Sequence, residues 1–165
     1  MTTSPAPTGA RTKVLLVDDH DLIRKVLRHA FERDRQFEVV GEAATCAEAV
    51  RQAGALQPDV VIMDLRLPDG SGLEATRALR KGNSQLGIVV LTMYAGDDQL
   101  FGALEAGASA FVPKTAPADE VVAAARHAAS APSAFTAADL AEAMKRRLAP
   151  TGPQLSPREG QVLRL

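Results

Sequence analysis

The 165-residue chain is predicted to be an α/β protein: a doubly wound, five-stranded parallel sheet with helices on both faces and a further helix near its C-terminus. Three observations predict this. Short β-branched runs alternate strictly with stretches of helical period, turn residues or charges stand at the junctions, and some strands are apolar throughout. Alternation implies parallel strands, because each parallel crossover needs a long connection, usually a helix. Val60-Val61-Ile62-Met63 and Ile88-Val89-Val90-Leu91 have no polar face, as strands covered on both sides require.

The first strand is expected at Lys13–Val17. The helix after it carries Leu22, Ile23, Val26, Leu27, Ala30 and Phe31 at helical spacing, read as one apolar stripe against the sheet. The second strand is Phe37–Ala43. Thr45 and Glu48 then form a capping box, whose hydroxyl and carboxylate satisfy free backbone N–H groups at the start of the second helix. A third strand at Asp59–Met63 precedes a helix from about Leu73 to Lys81 that stops near Gly82-Asn83. The fourth strand, Gly87–Leu91, leads to a helix from Asp97 or Asp98 to Gly107. The fifth, Ser109–Val112, leads to a helix opening near Pro117, with Asp119 and Glu120 at the positive end of its dipole.

This unit spans residues 12–130, behind a Pro-, Thr- and Ala-rich tail at 1–11 that lacks the apolar segment of a signal peptide. Residues 131–154 read as a linker containing a helix at about 137–148, opened by Thr136 and Asp139. Lys145-Arg146-Arg147 would complement the negative end of that helix. At 155–165, Ser156-Pro157-Arg158-Glu159 announces another helix that reaches Leu165 without a C-cap signal, so this helix is expected to be cut short, with a short natural C-terminal helix as the alternative.

Composition narrows the class. The chain is 46% hydrophobic and 24% charged with a net charge of -1, as in a soluble globular protein that advertises no nucleic acid or membrane partner. Cys46 stands alone, which excludes an internal disulfide, and no run approaches the roughly 18 apolar residues of a membrane span. A cytoplasmic location is expected.

Polar residues collect where strands end. Asp18 and Asp19 follow the first strand, Asp64 follows the third, Thr92 closes the fourth and Lys114 follows the fifth. In an open doubly wound sheet, ligands bind outside the carboxyl ends of the strands, at the switch in strand order. With the order 2-1-3-4-5 the first and third strands are neighbours, and three carboxylates converge. Such like charges repel unless a cation sits among them, and Mg²⁺, held by one or two carboxylates, waters and a phosphate oxygen, suits the set. Lys114 adds a point charge and Thr92 a hydroxyl, which completes a site for phosphoryl transfer onto a carboxylate. His20 reads as a helix-start residue, and His29 and His127 have no ligand-spaced companions, so no zinc site is expected.

The stretches VLLVDDHDLIR, DVVIMDLRLPDGSGLEATR, IVVLTMY and GASAFVPK resemble the four signatures of two-component receiver domains, over about Thr12 to Ser130. The resemblance implies a flavodoxin-like fold in which Asp64 accepts a phosphoryl group from a sensor histidine kinase. It implies that Asp19, Asp64 and the main-chain carbonyl of Arg66 bind Mg²⁺ directly, and Asp18 through water. Thr92 would bond a phosphoryl oxygen, Lys114 would pair with the group, and Phe111 would be the aromatic switch residue, turning inward behind Thr92. Arg66 and Tyr94 would flank the approach of the hydrolytic water. Many relatives have a cis peptide after the lysine, here Lys114–Thr115. Pro113 before Lys114 departs from the pattern, but a proline is tolerated at a sheet edge, where the fifth strand is expected.

DDH, the DLRLPDGSGLE loop and the terminal LSPREGQVLRL resemble the NarL/FixJ class, whose output is a LuxR-type helix-turn-helix. The match ends before any recognition helix, so no residue is assigned to DNA contact, and DNA is expected only through the absent output domain. The class implies a homodimer on phosphorylation, through helices one and five or through the fourth helix, fifth strand and fifth helix. On this reading the chain is no conventional enzyme and catalyses only its own phosphorylation and dephosphorylation. Two competing readings share the fold. A flavodoxin-like FMN enzyme would place a phosphate after the first strand, where two carboxylates repel it. An Asp-nucleophile phosphatase usually has an acid-base Asp two residues beyond the nucleophile, and that position is Arg66.

Overall fold

Residues 11–93, 96–137 and 140–148 are described by the computed structural model of the chain. Strands β1 (Thr12–Val17), β2 (Phe37–Ala43), β3 (Val60–Asp64), β4 (Gly87–Thr92) and β5 (Ala110–Pro113) lie parallel in the order β2-β1-β3-β4-β5. The predicted order therefore holds. Helices α1 (Asp21–Glu32), α2 (Cys46–Leu56), α3 (Gly72–Gly82), α4 (Asp97–Ala106) and α5 (Ala118–Ser130) form the crossovers and cover both faces.

Alternation along the strands splits the core in two. Val14, Leu16, Val60, Ile62, Val89 and Leu91 face α1 and α5, packing on Leu27, Phe31, Val121 and Ala125. Leu15, Val17, Val61, Met63, Ile88 and Val90 face the other way, toward Ala53 of α2, Leu79 of α3 and Leu100 and Phe101 of α4. Phe31 meets Phe37 edge to face with ring centroids 5.1 Å apart, which locks the end of α1 to the start of β2.

The α1 stripe is narrower than predicted. Leu27, Ala30 and Phe31 are buried, but Leu22 is 71% and Val26 49% exposed. At about 100° per residue the six positions span roughly half of the helix circumference, more than one sheet face can cover. Leu22 and Val26 lie at one margin of that arc and are left outside.

The segment after α5 also differs. Thr136, read as a helix cap, instead forms with Ala137 a two-residue strand β6 beside Ala110 and Phe111 of β5. Thr136 N–H donates to the Ser109 carbonyl at 3.1 Å, so the unpaired edge of the sheet outcompetes the cap. The pairing stops short of Pro113, whose missing N–H therefore costs no bond on that side. Helix α6 (Leu140–Leu148) starts later than expected and lies against α4. The Arg146 guanidinium grips the Asp97 carboxylate at 2.7 and 2.8 Å, and Arg147 stacks 4.4 Å over the Phe101 ring. Lys145, Arg146 and Arg147 stand in the last turn of α6, as expected, and Arg146 and Arg147 also hold the helix to α4.

The Thr45–Glu48 box forms, with the Thr45 hydroxyl accepting from Glu48 N–H at 3.1 Å; the Glu48 carboxylate accepts from Ala44 N–H, one residue before the cap. Pro117 is the N-cap of α5 and not its first helical residue. Among the described residues every peptide is trans, including Lys114–Thr115. Tyr94, Asp139, the first ten residues and the readings at 149–165 lie outside the described residues. No described helix is long and apolar enough to cross a membrane.

Candidate functional site

A parallel sheet brings every strand's carboxyl end to one rim, and strand order decides which ends are neighbours. β1 pairs with β3 through Val17 and Met63, so Asp18 just after β1 stands beside Asp64 at the end of β3. Lys114, the first residue beyond β5, reaches across: Nζ lies 2.8 Å from Asp18 Oδ2 and 2.9 Å from Asp64 Oδ2. The three side chains are only 5%, 1% and 4% exposed, respectively for Lys114, Asp18 and Asp64. Between them β4 ends in the buried Thr92, whose carbonyl accepts from Lys114 N–H at 2.7 Å and fixes where the lysine's loop begins.

Asp19 sits at the open side, and one ligand atom each from Asp18, Asp19, His20 and Asp64 lies within 4.8 Å of the others. Arg66 N–H donates to Asp64 Oδ1 at 3.3 Å. Phe111 is buried in the layer facing α3 and α4. In the sheet, Phe111 pairs with Ala137 of β6.

Two contributors escaped the sequence reading. The His20 ring is more than a helix-start residue: Nδ1 lies 3.0 Å from Asp18 Oδ1 and 3.2 Å from Asp19 Oδ1. Its place directly after the acidic pair was the available signal. Arg24 bonds the Asp18 carbonyl and, through Nε, Glu42 of β2 at 2.8 Å, which braces the turn carrying Asp18 and Asp19. No sequence signal links Arg24 to a strand eighteen positions away.

The electrostatics are those of two acids sharing one base. Burial, with the charge of Asp18, pushes the Asp64 carboxyl above its usual range, although Lys114 opposes the shift. Burial alone would lower Lys114, but its bonds to Asp18 and Asp64 prevail and hold the ammonium above the ordinary lysine value. Asp18 Oδ2 is buried and has no well-directed hydrogen bond. The Lys114 ammonium 2.8 Å away balances its charge as an ion pair. Hard carboxylate oxygens with unused lone pairs, gathered at an open rim, fit a divalent ion such as Mg²⁺.

Cys46 lies nearby at the start of α2, and burial together with Asp69 pushes its thiol up to about 11. Its thiolate fraction at pH 7 should be on the order of 10⁻⁴, so labelling by a disulfide reagent is expected to be slow and to accelerate as pH rises toward 11. Labelling at pH 7 at the rate of an unhindered cysteine would contradict this environment.

A family model described as the response regulator receiver domain matches residues 14–126. The chain belongs to the response regulator receiver family. Among similar receiver-containing proteins, the DNA-binding transcriptional activator DevR/DosR of Mycobacterium tuberculosis is 43% identical over 102 residues, covering 62% of this chain and 47% of that protein. The response regulator protein VraR of Staphylococcus aureus is 36% identical over 123 residues, covering 74% of this chain and 59% of that protein. The chain thus spans about half the length of these curated relatives. A two-component response regulator of the LuxR family from Aurantimonas sp. SI85-9A1 superposes with a TM-score of 0.77 at 35% identity, covering 84% of this chain and 99% of that one. Membership in the receiver family favours the receiver reading over the flavin-enzyme and phosphatase alternatives.

Proposed function

We propose that this receiver is a Mg²⁺-dependent switch set by a phosphoryl group on Asp64, delivered by a sensor histidine kinase in the cytoplasm. The observation that carries the reading is the Lys114 ammonium shared between buried Asp18 and Asp64, with Thr92 at the adjacent strand end. An Asp64 carboxylate oxygen attacks phosphorus, the bond from phosphorus to the donor's leaving group breaks, and an acyl phosphate forms. Asp19, Asp64 and the Arg66 carbonyl would hold the ion and Asp18 would bind it through water. Bound Mg²⁺ neutralises charge on the phosphoryl oxygens. Lys114 pairs with the transferred group and the Thr92 hydroxyl donates to one of its oxygens. The chain performs no other chemistry on this reading. The test is incubation of the chain with a small acyl phosphate: uptake of one phosphoryl group per chain, blocked by chelator, supports the reading, while continuous turnover of a generic phosphate ester would support a phosphatase instead.

Transcriptional control would follow through a LuxR-type DNA-binding domain of the full-length protein; the DevR/DosR relative is named a DNA-binding transcriptional activator and the Aurantimonas relative a LuxR-family response regulator. A homodimer on phosphorylation is proposed through α1 and α5. The α4 surface and the edge of β5 are occupied by α6 and β6, whereas Leu22 and Val26 leave an apolar margin on α1.

The phosphorylated state is proposed to be long-lived. Hydrolysis needs water in line with the Asp64–phosphorus bond, and by resemblance to receivers Arg66 and Tyr94 would be the large residues flanking that approach. Replacing both by Ala should shorten the phosphoryl half-life about tenfold, equivalent to about 1.4 kcal/mol of barrier. Decay at the parental rate under saturating Mg²⁺ would remove the shielding role.

A further inference from the structure

The strand end at Asp64 runs directly into a small hairpin. Arg66 and Leu67 pair antiparallel with Ser71 and Gly70, leaving Pro68 and Asp69 at the tip. Its base is held against the phosphoacceptor: Gly72 N–H donates to the Leu65 carbonyl at 2.8 Å, and a Cβ on Gly72 would come 2.1 Å from the Asp64 carbonyl oxygen. Only glycine permits that approach. Two paired residues on each side make a marginal hairpin, since short isolated hairpins are barely stable in water.

The tip is anchored as well. Asp69 Oδ1 accepts from Cys46 N–H at 2.7 Å and Oδ2 from Ala47 N–H at 3.0 Å, so each carboxylate oxygen takes one of the first two free donors of α2. Those bonds hold the Asp69 carboxyl below the usual carboxylate range. Helix α2 does not depend on them for capping, because the Thr45 hydroxyl already satisfies Glu48 N–H and water can reach the exposed remainder. At the hairpin tip, the Asp69 bonds form a tie to α2 that uses both carboxylate oxygens. A weaker contact, from Cys46 Sγ to the Ser71 carbonyl at 3.5 Å, joins the same two segments.

We propose that Asp69 is a positioning residue for the acidic site: by tying the hairpin tip to α2, it holds the Arg66 backbone in register with Asp64 and the bound cation. This rests on the reading of Asp64 as a Mg²⁺-assisted phosphoacceptor. Arg66 offers backbone atoms, which no change of rotamer can re-aim, so its carbonyl and the N–H bonded to Asp64 Oδ1 move with the hairpin backbone. Free movement of the tip would let both drift. Groups that orient metal ligands from outside typically matter by 10- to 100-fold in affinity.

The experiment uses the full chain and compares Asp69→Ala with Thr45→Ala, which removes the cap of the same helix without touching the hairpin. Mg²⁺ dissociation constants are read from amide shifts around Asp64, alongside thermal midpoints and the rate of uptake from an acyl phosphate. Asp69→Ala should weaken Mg²⁺ about tenfold, slow uptake at low Mg²⁺ and recover at saturating Mg²⁺. Asp69→Asn, which keeps one acceptor oxygen, should fall between it and the parent. Thr45→Ala should lower the midpoint yet leave the Mg²⁺ constant within about twofold, since it alters only helix stability. Parental Mg²⁺ affinity in Asp69→Ala, or equal weakening in Thr45→Ala, overturns the positioning role while leaving the phosphoacceptor reading intact. A parent chain that takes up neither Mg²⁺ nor phosphoryl overturns that reading itself.

Discussion

Asp64→Asn should abolish phosphoryl uptake from a small acyl phosphate and lower it to the background of a chain without a nucleophile. The amide has nearly the shape of the carboxylate, so loss of uptake would report loss of the attacking oxygen and not a collapsed site. Asp19→Asn, at the open side of the cluster, should retain uptake but demand much more Mg²⁺, because it removes one candidate ligand and leaves the nucleophile. The Asp64→Asn variant should also be more stable than the parent in chelator. Burial holds the Asp64 carboxyl above its usual range, so the folded chain binds more protons there than the unfolded chain. The cost of ionising it therefore grows as pH rises from the ordinary carboxylate value of about 3.9 through the raised one, and is fully present at neutral pH. Intact mass and chelator-dependent melting read both effects. Undiminished uptake in Asp64→Asn, for instance on Asp18, would sink the assignment.

Lys114→Ala should destabilise the metal-free chain by about 3–5 kcal/mol at neutral pH, the usual cost of leaving buried charges unpaired. That is a large part of the roughly 5–15 kcal/mol typical of a whole domain. The ammonium is shared by Asp18 and Asp64, and all three side chains are nearly inaccessible, so screening by solvent offers little relief. Without it the burial that already raises the Asp64 carboxyl is unopposed, so its neutral form is favoured in the folded state and acidification should recover stability. In the parent, Lys114 itself is held above its ordinary value. Its contribution is complete below the unfolded lysine pKa and fades only as pH climbs through the raised folded value, well into the alkaline range. Mg²⁺ should rescue the variant too: at a hundredfold excess over its dissociation constant, a ligand adds about 2.7 kcal/mol. Urea unfolding with and without Mg²⁺, at neutral and mildly acidic pH, decides the matter. A loss under about 1 kcal/mol, or one indifferent to Mg²⁺ and pH, would mean that the lysine does not neutralise a buried acidic pair.

Much of this was legible in residue order alone. The strand–helix alternation and the wholly apolar runs at Val60–Met63 and Ile88–Leu91 leave few arrangements besides a doubly wound parallel sheet, and the polar residues at the strand ends mark its working rim. Local chemistry was equally readable: Thr45 caps α2 and Gly107, at φ +96°, closes α4 as a left-handed residue. These features depend on neighbours in sequence, on backbone sterics and on the period of hydrophobicity.

What only the tertiary structure decided were contacts between segments whose pairing depends on three-dimensional proximity. Which part of α1's broad apolar arc is covered depends on the width of the sheet face beneath it, and Leu22 and Val26 fall outside. Whether Thr136 caps a helix or extends a sheet depends on the open edge of β5 being within reach. The basic run in α6 finds Asp97 and Phe101, the Arg24 side chain finds Glu42, and Asp69 finds the first free donors of α2. Each of those side chains has several local uses of similar energy, and a choice among them is settled by the partner that the packed layers bring within about 3 Å, the range over which a hydrogen bond or ion pair acts.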